Sequence, residues 1–331
     1  MPAPGGLNPL ARFPEIQQAS NKHLLPITLI GGFLGAGKTT LLNSLLSQGD
    51  GRRLAVLVND FGELNIDAKL IVSVEGQRVE LANGCICCSI RDDLVAGVES
   101  LLDSDPPPEQ LLIETSGVSD PENIVCTFAT NKIRRRIFLE NVVTMVDAVH
   151  ALDARDAEWS ALYQRQIQSA YMIVLNRTGA VDAETLGQVR AMVAQLRPHA
   201  AIVETRDGTV PLTVLLGDSR EGQSTFRPEP VFDASSHPFA SMVFRSDKAM
   251  RRPEFSRVMK ELATTVYRAK GFLNFRNYPL ASLYQKVGTF ESYVDGSAWG
   301  SDTPRTELVL IGLIDGFDRD AISAKLDACT R

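Results

Sequence analysis

Sulfur and imidazole are scarce in this chain. Its 331 residues hold five cysteines and four histidines, and three of the cysteines fall within Cys85–Cys88. A count so sparse and odd does not make a disulfide framework, so a reducing compartment, the cytoplasm, is expected. The histidines, His23, His150, His199 and His237, form no tract. Long apolar runs are absent too, and none reaches the length of a bilayer span. The opening stretch, MPAPGGLNPLARFPEIQQASN, repeats Pro and Gly and lacks the apolar core of a signal peptide; residues 1–24 read as a flexible tail. Positive charge is not in excess. The formal net charge is -6, and Arg134-Arg135-Arg136 is the one notable basic run. A broad nucleic-acid footprint is therefore excluded, and the run reads as a solvated helix face. Neither nucleic acid nor membrane is expected as a partner.

What is present is ordinary globular material, 44% hydrophobic and 22% charged, enough for a large core and two domains. Pro26-Ile27-Thr28-Leu29-Ile30 reads as a buried strand running into a glycine turn, and Leu54–Val58, Leu111–Ile113, Val142–Val146 and Met172–Leu175 repeat the pattern. Helical spacing follows most of them, notably over Ile90–Leu102 and Ala183–Leu196. Wholly apolar strands alternating with helices predict an α/β domain with a mostly parallel sheet covered on both faces, over residues 25–216. Residues 217–236 are polar, rich in Gly, Ser, Asp and Pro, and read as a linker. Residues 237–331 carry three strand-like runs and two helical ones, a smaller C-terminal α+β domain of about a hundred residues.

Gly32-Phe33-Leu34-Gly35-Ala36-Gly37-Lys38-Thr39 fits G-x-x-x-x-G-K-[ST], between a strand and a helix as the chemistry requires. Gly32, Gly35, Ala36 and Gly37 let backbone N–H groups face phosphates, and the helix start at Lys38, Thr39 and Thr40 adds a partial positive charge. Lys38 would reach the β/γ-phosphates and Thr39 would ligate Mg²⁺. The run Leu111–Gly117 places Glu114 at the carboxyl end of a strand, where ligands gather in open sheets. Gly117 there would offer an N–H to the γ-phosphate.

Cys85, Cys87 and Cys88 follow Asn83-Gly84. Vicinal cysteines bridge only with strain, and three thiols in four positions make poor core packing. Cys85 and Cys88 satisfy C-x-x-C spacing, so a redox pair stays open, but clustered soft thiolates on a turn suit zinc or another soft ion better. Three thiolates leave a tetrahedral ion one ligand short. Glu63 is the best internal candidate for the fourth, on equal terms with a solvated loop acid.

The segments GGFLGAGKTT, NDFGELNID, NGCICCSIRDDL, IETSGVSDP and VVTMVDA occur in this order. With RAKGFLNF (Arg268 to Phe275) and RTELVLIG (Arg305 to Gly312), they resemble the CobW-like metallochaperone GTPases, relatives of the urease and hydrogenase accessory GTPases. The resemblance spans the chain apart from its first two dozen residues and the linker. It implies a P-loop domain that binds and hydrolyses GTP with Mg²⁺, with Lys38, Thr39, Glu114 and Asp60 as catalytic candidates. It implies Zn²⁺ or another transition metal at Cys85, Cys87 and Cys88, delivered to a client metalloprotein or a metal-dependent pathway enzyme. It is compatible with a homodimer. His237 matches a position where relatives often have His, and a surface loop histidine is the favoured reading.

One motif departs from the family. N-K-x-D reads guanine through its Asp; here the segment is Asn176-Arg177-Thr178-Gly179. Asn176 stays, Arg177 still allows aliphatic packing on the base, and Gly179 removes the carboxylate. Asp182 is three residues on. Alternatives are therefore a metal-binding scaffold with relaxed or degenerate nucleotide specificity and a small-molecule kinase on the same P-loop core.

Overall fold

The computed structural model describes residues 24–48, 51–59, 69–74, 77–81, 90–156, 160–198, 200–216, 239–299 and 303–330. Six parallel strands form the body of the larger sheet: β1 (Leu25–Gly32), β2 (Leu54–Asn59), β5 (Gln110–Thr115), β6 (Ile137–Asp147), β7 (Met172–Asn176) and β8 (Ala201–Glu204). Antiparallel β3 (Lys69–Val74) and β4 (Gln77–Leu81) extend it beyond β2, giving the order β4-β3-β2-β5-β1-β6-β7-β8. The central strands are apolar throughout because helices cover both faces. Ile27, Leu29 and Ile30 of β1 and Leu111, Leu112 and Ile113 of β5 are fully buried.

The covering helices are α1 (Lys38–Ser47), α2 (Ile90–Leu102), α3 (Pro121–Thr130), α4 (Ala151–Asp156), α5 (Ser160–Gln168), α6 (Ala183–Leu196) and α7 (Leu212–Leu216). Helix α1 buries Leu41, Leu42, Leu45 and Leu46, the two adjacent rows of one helix face. Tyr163 and Ile167 of α5 and Val189 and Val193 of α6 close over Val146, Ile173 and Leu175. Asp120 caps α3 through the Glu122 N–H at 3.0 Å, with Pro121 at its first position. The arginine run exposes Arg134 and Arg135. It falls on a short 3-10 turn (Lys132–Arg135), and Arg136 pairs with Asp103 at 2.7 Å.

The smaller sheet is wholly antiparallel: β9 (Phe239–Ser246), β10 (Arg268–Leu273), β11 (Leu280–Val287), β12 (Phe290–Ala298) and β13 (Thr306–Leu313), in the order β12-β11-β10-β13-β9. Helices α8 (Arg252–Glu261) and α9 (Arg319–Ala328) cover one face, packing Phe255, Met259 and Leu326 on Phe244, Tyr284 and Leu308. The other face is not independent. Phe239, Val287, Val309 and Ile311 join the hydrophobic core of the larger sheet. Tyr171 stacks on Phe290 at 4.1 Å across this seam. Gly288, at φ +55, lets the β11–β12 turn approach so closely that a Cβ would lie 2.6 Å from the Tyr171 carbonyl.

Buried charge also crosses the seam. Glu140 of β6 meets Arg268 at 2.9 Å and Lys270 at 3.3 Å, both on β10, and accepts from Gln110 at 2.8 Å. Arg268 donates onward to the Leu215 carbonyl at 2.7 Å. Burial pushes the Glu140 carboxyl up, but Lys270, Arg268 and Gln110 outweigh it and hold it below the usual glutamate range.

Strands β3, β4, β8, β10 and β12 were not among the sequence-predicted runs. Strand β10 reads RAKGFL, and its two cations mask the apolar signature because their partner carboxylate lies on a distant strand. The predicted linker, 217–236, lies outside the described residues. Among those residues no helix is long and apolar enough to cross a membrane.

Candidate nucleotide-binding site

The loop from β1 to α1 can be built only with glycine at two of its corners. Gly32 has φ 131°, and a Cβ there would sit 2.4 Å from the Met145 carbonyl of the neighbouring strand. Gly37 has φ 101° and precedes α1; a Cβ would lie 2.5 Å from Asn176 Nδ2. No side chain caps α1. Its first-turn N–H groups are therefore left without a capping side chain, the arrangement that receives anions. Lys38 is buried, and its ammonium folds over the loop to donate to the Phe33 carbonyl at 3.1 Å. Phe33 is held from behind by an edge contact to Tyr163, ring centres 6.4 Å apart.

The structure brings Thr39 and Glu114 together. The Thr39 hydroxyl donates to Glu114 Oε1 at 2.8 Å. Strand β5 pairs Glu114 with Ile30, which sets the carboxylate at the sheet's carboxyl edge while leaving it only 6% exposed. A hydroxyl and a carboxylate oxygen side by side next to an anion-binding loop are hard donors of the kind Mg²⁺ takes. Gly117 crosses the loop at close range, where a Cβ would be 2.6 Å from the Leu34 nitrogen.

A residue not singled out in the sequence fixes that crossing. Gln166 of α5 is fully buried and donates to the carbonyls of Gly117 at 3.0 Å and Ser119 at 2.9 Å. Its signal was a polar residue on the helix's apolar face, beside Tyr163 and Ile167.

The altered motif lies at the end of β7. Asn176 closes β7, donates to the Ala36 carbonyl at 3.0 Å and accepts from the Arg177 N–H at 2.8 Å. It thereby clamps the phosphate loop to the loop after β7. Arg177 is left-handed at φ 58°, and its guanidinium pairs with Asp147 and donates to the Gly35 carbonyl at 3.4 Å. The guanidinium thus ties the loop after β7 to the phosphate loop and to the end of β6. Asp147, the last residue of β6, also accepts from the Val149 N–H at 3.1 Å; within VVTMVDA its sequence neighbours do not signal this role. Asp182 does not reach back. It caps α6, accepting from the Thr185 N–H at 2.7 Å, and that bond holds its carboxyl below the usual range. Gly179 is exposed and lies against the side chain of Arg206.

Asp60, Glu63, Asp67, Cys85, Cys87, Cys88, His23, His199 and His237 lie outside the described residues. Among the described residues, no three His, Cys, Asp or Glu side chains converge as a metal group. Neither of the remaining cysteines, Cys126 and Cys329, is in a disulfide among the described residues.

Comparison with known proteins follows the same division of the chain. The sequence profile of the CobW/HypB/UreG nucleotide-binding domain matches residues 26–204, and that of the cobalamin synthesis protein cobW C-terminal domain matches residues 239–330. The zinc chaperone CobW of Sinorhizobium sp is 31% identical, over 93% of this chain and 98% of that protein. The zinc chaperone YjiA of Escherichia coli (strain K12) is 33% identical, over 87% of this chain and 94% of that protein. The zinc-regulated GTPase metalloprotein activator 1 of Dictyostelium discoideum is 27% identical, over 84% of this chain and 69% of that protein. The glycine loop, the Thr39–Glu114 pair and the matched extent lead to one conclusion: the chain belongs to the CobW/HypB/UreG family of nucleotide-binding proteins.

Proposed function

We propose that this protein is a GTP-hydrolysing metallochaperone, which takes zinc as cargo at Cys85, Cys87 and Cys88 and hands it to a client metalloprotein. The observation that carries the nucleotide half is the Thr39–Glu114 hydrogen bond at 2.8 Å beside a loop that has no room for a Cβ at Gly32 or Gly37. Thr39 and Glu114 would hold Mg²⁺, which when bound neutralises phosphate charge. Lys38, the N–H groups opening α1 and the Gly117 N–H would hold the phosphates. Gln166 keeps Gly117 in register with the loop. The metal half rests on the three clustered thiols, on Glu63 as a fourth ligand, and on the zinc chaperones among the relatives. Residues 25–216 form the nucleotide unit and 237–331 the second unit of this reading, and thiols kept reduced fit the cytoplasm.

The chemistry couples through position. The cysteine segment lies in sequence between the P-loop and Glu114, where γ-phosphate and Mg²⁺ order the chain and hydrolysis releases it. GTP turnover is expected with Mg²⁺, and Lys38→Ala abolishes it. Zn²⁺ affinity, read by competition with a chromogenic chelator, is expected to fall in Cys85→Ser and Cys87→Ser and to differ between GTP-analogue and GDP states. Identical affinity in both states sinks the coupling. The replaced N-K-x-D acid favours a second reading, a metal-binding scaffold; tight Zn²⁺ binding with no turnover of any nucleoside triphosphate would select it.

A further inference from the structure

The loop after β8 lays an arginine side chain against the position where the family motif carries its acid. Strands β7 and β8 are parallel neighbours, so their following loops run side by side. The Thr178 N–H donates to the Thr205 carbonyl at 3.2 Å, and the Thr205 N–H to the Leu175 carbonyl at 2.9 Å. The next residues form a tight turn in which Asp207 Oδ1 accepts from the Thr205 hydroxyl at 3.1 Å and the Thr209 N–H at 3.0 Å. Gly208, at φ +79, brings that turn onto the nucleotide face: a Cβ there would lie 3.4 Å from Thr40 Cγ2 and 3.7 Å from Asn176 Nδ2. Arg206 leaves this fixed turn and is exposed. Its stem covers Gly179, with Cγ and Cδ 3.4 Å and Nε 3.6 Å from where a Cβ at 179 would stand.

The consequence is a reversal of hydrogen-bond polarity. A carboxylate at 179 would accept from the N1–H and 2-amino group of guanine. A guanidinium only donates. Two donors facing each other leave both unpaired, whereas adenine N1 and xanthine O2 are acceptors on the same purine edge. Arg177, the other arginine near the base end, is directed to Asp147 and Gly35. Building on the nucleotide-binding reading above, we propose that Arg206 is the base-contacting residue, and that it makes the site accept purine nucleotides with an acceptor on the N1/C2 edge, adenosine and xanthosine triphosphates, as well as GTP.

The test is competition of GTP, ATP and XTP against a fluorescent nucleotide on the full chain with Mg²⁺. The wild type is expected to bind ATP and XTP within about tenfold of GTP, the range that loss of one charged hydrogen-bonding contact opens. Arg206→Ala should weaken ATP and XTP relative to GTP. Gly179→Asp alone would set its carboxylate against the Arg206 guanidinium. Combined with Arg206→Ala, it should raise preference for GTP over ATP by about tenfold or more. Ratios between nucleotides are read within each variant, so a uniform loss through altered folding does not mimic the result. A wild-type preference for GTP above about a hundredfold, or ratios unmoved by Arg206→Ala, overturns the proposal and leaves the phosphate site standing. Failure of all three nucleotides to bind, with Lys38→Ala indistinguishable from wild type, removes the nucleotide reading and this proposal together.

Discussion

Two buried glutamates flank the same strand and do opposite work. Glu114 on β5 and Glu140 on β6 both neighbour β1, and their exposures are 6% and 1%. Glu114 sits opposite Ile30, at the carboxyl edge, and receives the hydroxyl of Thr39. Glu140 lies near the other end, where β6 pairs with Ile27 and Thr28, and faces Arg268 and Lys270. Burial and residue type are shared, so neither reveals function. What differs is where the partners come from. Glu114 meets the first turn of the helix that follows the phosphate loop, and Glu140 meets a strand of another sheet. A carboxylate enclosed by two cations and an amide is a structural junction, and one held by a hydroxyl at a loop mouth fits the ligand role proposed above.

The sharpest way to break this contrast is to remove each acid's function in turn. Glu140→Ala leaves Arg268 and Lys270 buried without their carboxylate, and the expected loss in urea or thermal unfolding is about 3–5 kcal/mol. Because the folded Glu140 carboxyl titrates below its unfolded range, its stabilisation is present above the unfolded pKa. It drains away as pH falls through the lower folded value, so wild type should lose stability on acidification in a way that Glu140→Ala does not. Thr39→Ala should do the reverse, lowering nucleoside triphosphate turnover by about 10²-fold or more while moving the unfolding midpoint little. If Thr39→Ala unfolds the protein as badly as Glu140→Ala, the distinction between junction and ligand site is lost.

Gln166→Leu sharpens the middle ground. It strips the donors from the Gly117 and Ser119 carbonyls, and the expected loss is about 1–3 kcal/mol, with weakened triphosphate binding relative to diphosphate. A stability loss with an unchanged triphosphate-to-diphosphate ratio would make Gln166 a mere packing residue. The smallest effect belongs to Lys286, which is buried and donates to the Gly288 carbonyl near the seam. Burial lowers it to about 8 from 10.5, with Glu291 opposing. Between those values the unfolded chain binds the proton more, so stability should rise with pH, by about 1 kcal/mol from pH 8 to 9. Lys286→Met should flatten that rise, as followed by thermal unfolding at each pH.

Local patterns made much of this legible in the sequence. The phosphate loop could be read because the glycines, Lys38 and Thr39 are contiguous and the strand before and helix after are strongly patterned. Glu114 and Asn176 could be read because each ends an apolar run. Gln166 offered only a polar residue on an apolar helix face, and Asp147 and Arg206 offered nothing, since their contacts are made with segments distant in sequence. Asp182 was ambiguous for a related reason: an Asp before a helix serves as a cap as readily as a base contact, and here the cap won. The charges of β10 hid a strand because the acid that neutralises them is 130 residues away for Lys270.

The clamp from Asn176 to Ala36 has a kinetic side as well. A phosphate loop tied through one amide to the base-side loop loses its conformational freedom during folding and not at the moment of encounter. Nucleotide association should then proceed with little reorganisation, and loosening Asn176 would show first as a slower, more temperature-dependent on-rate.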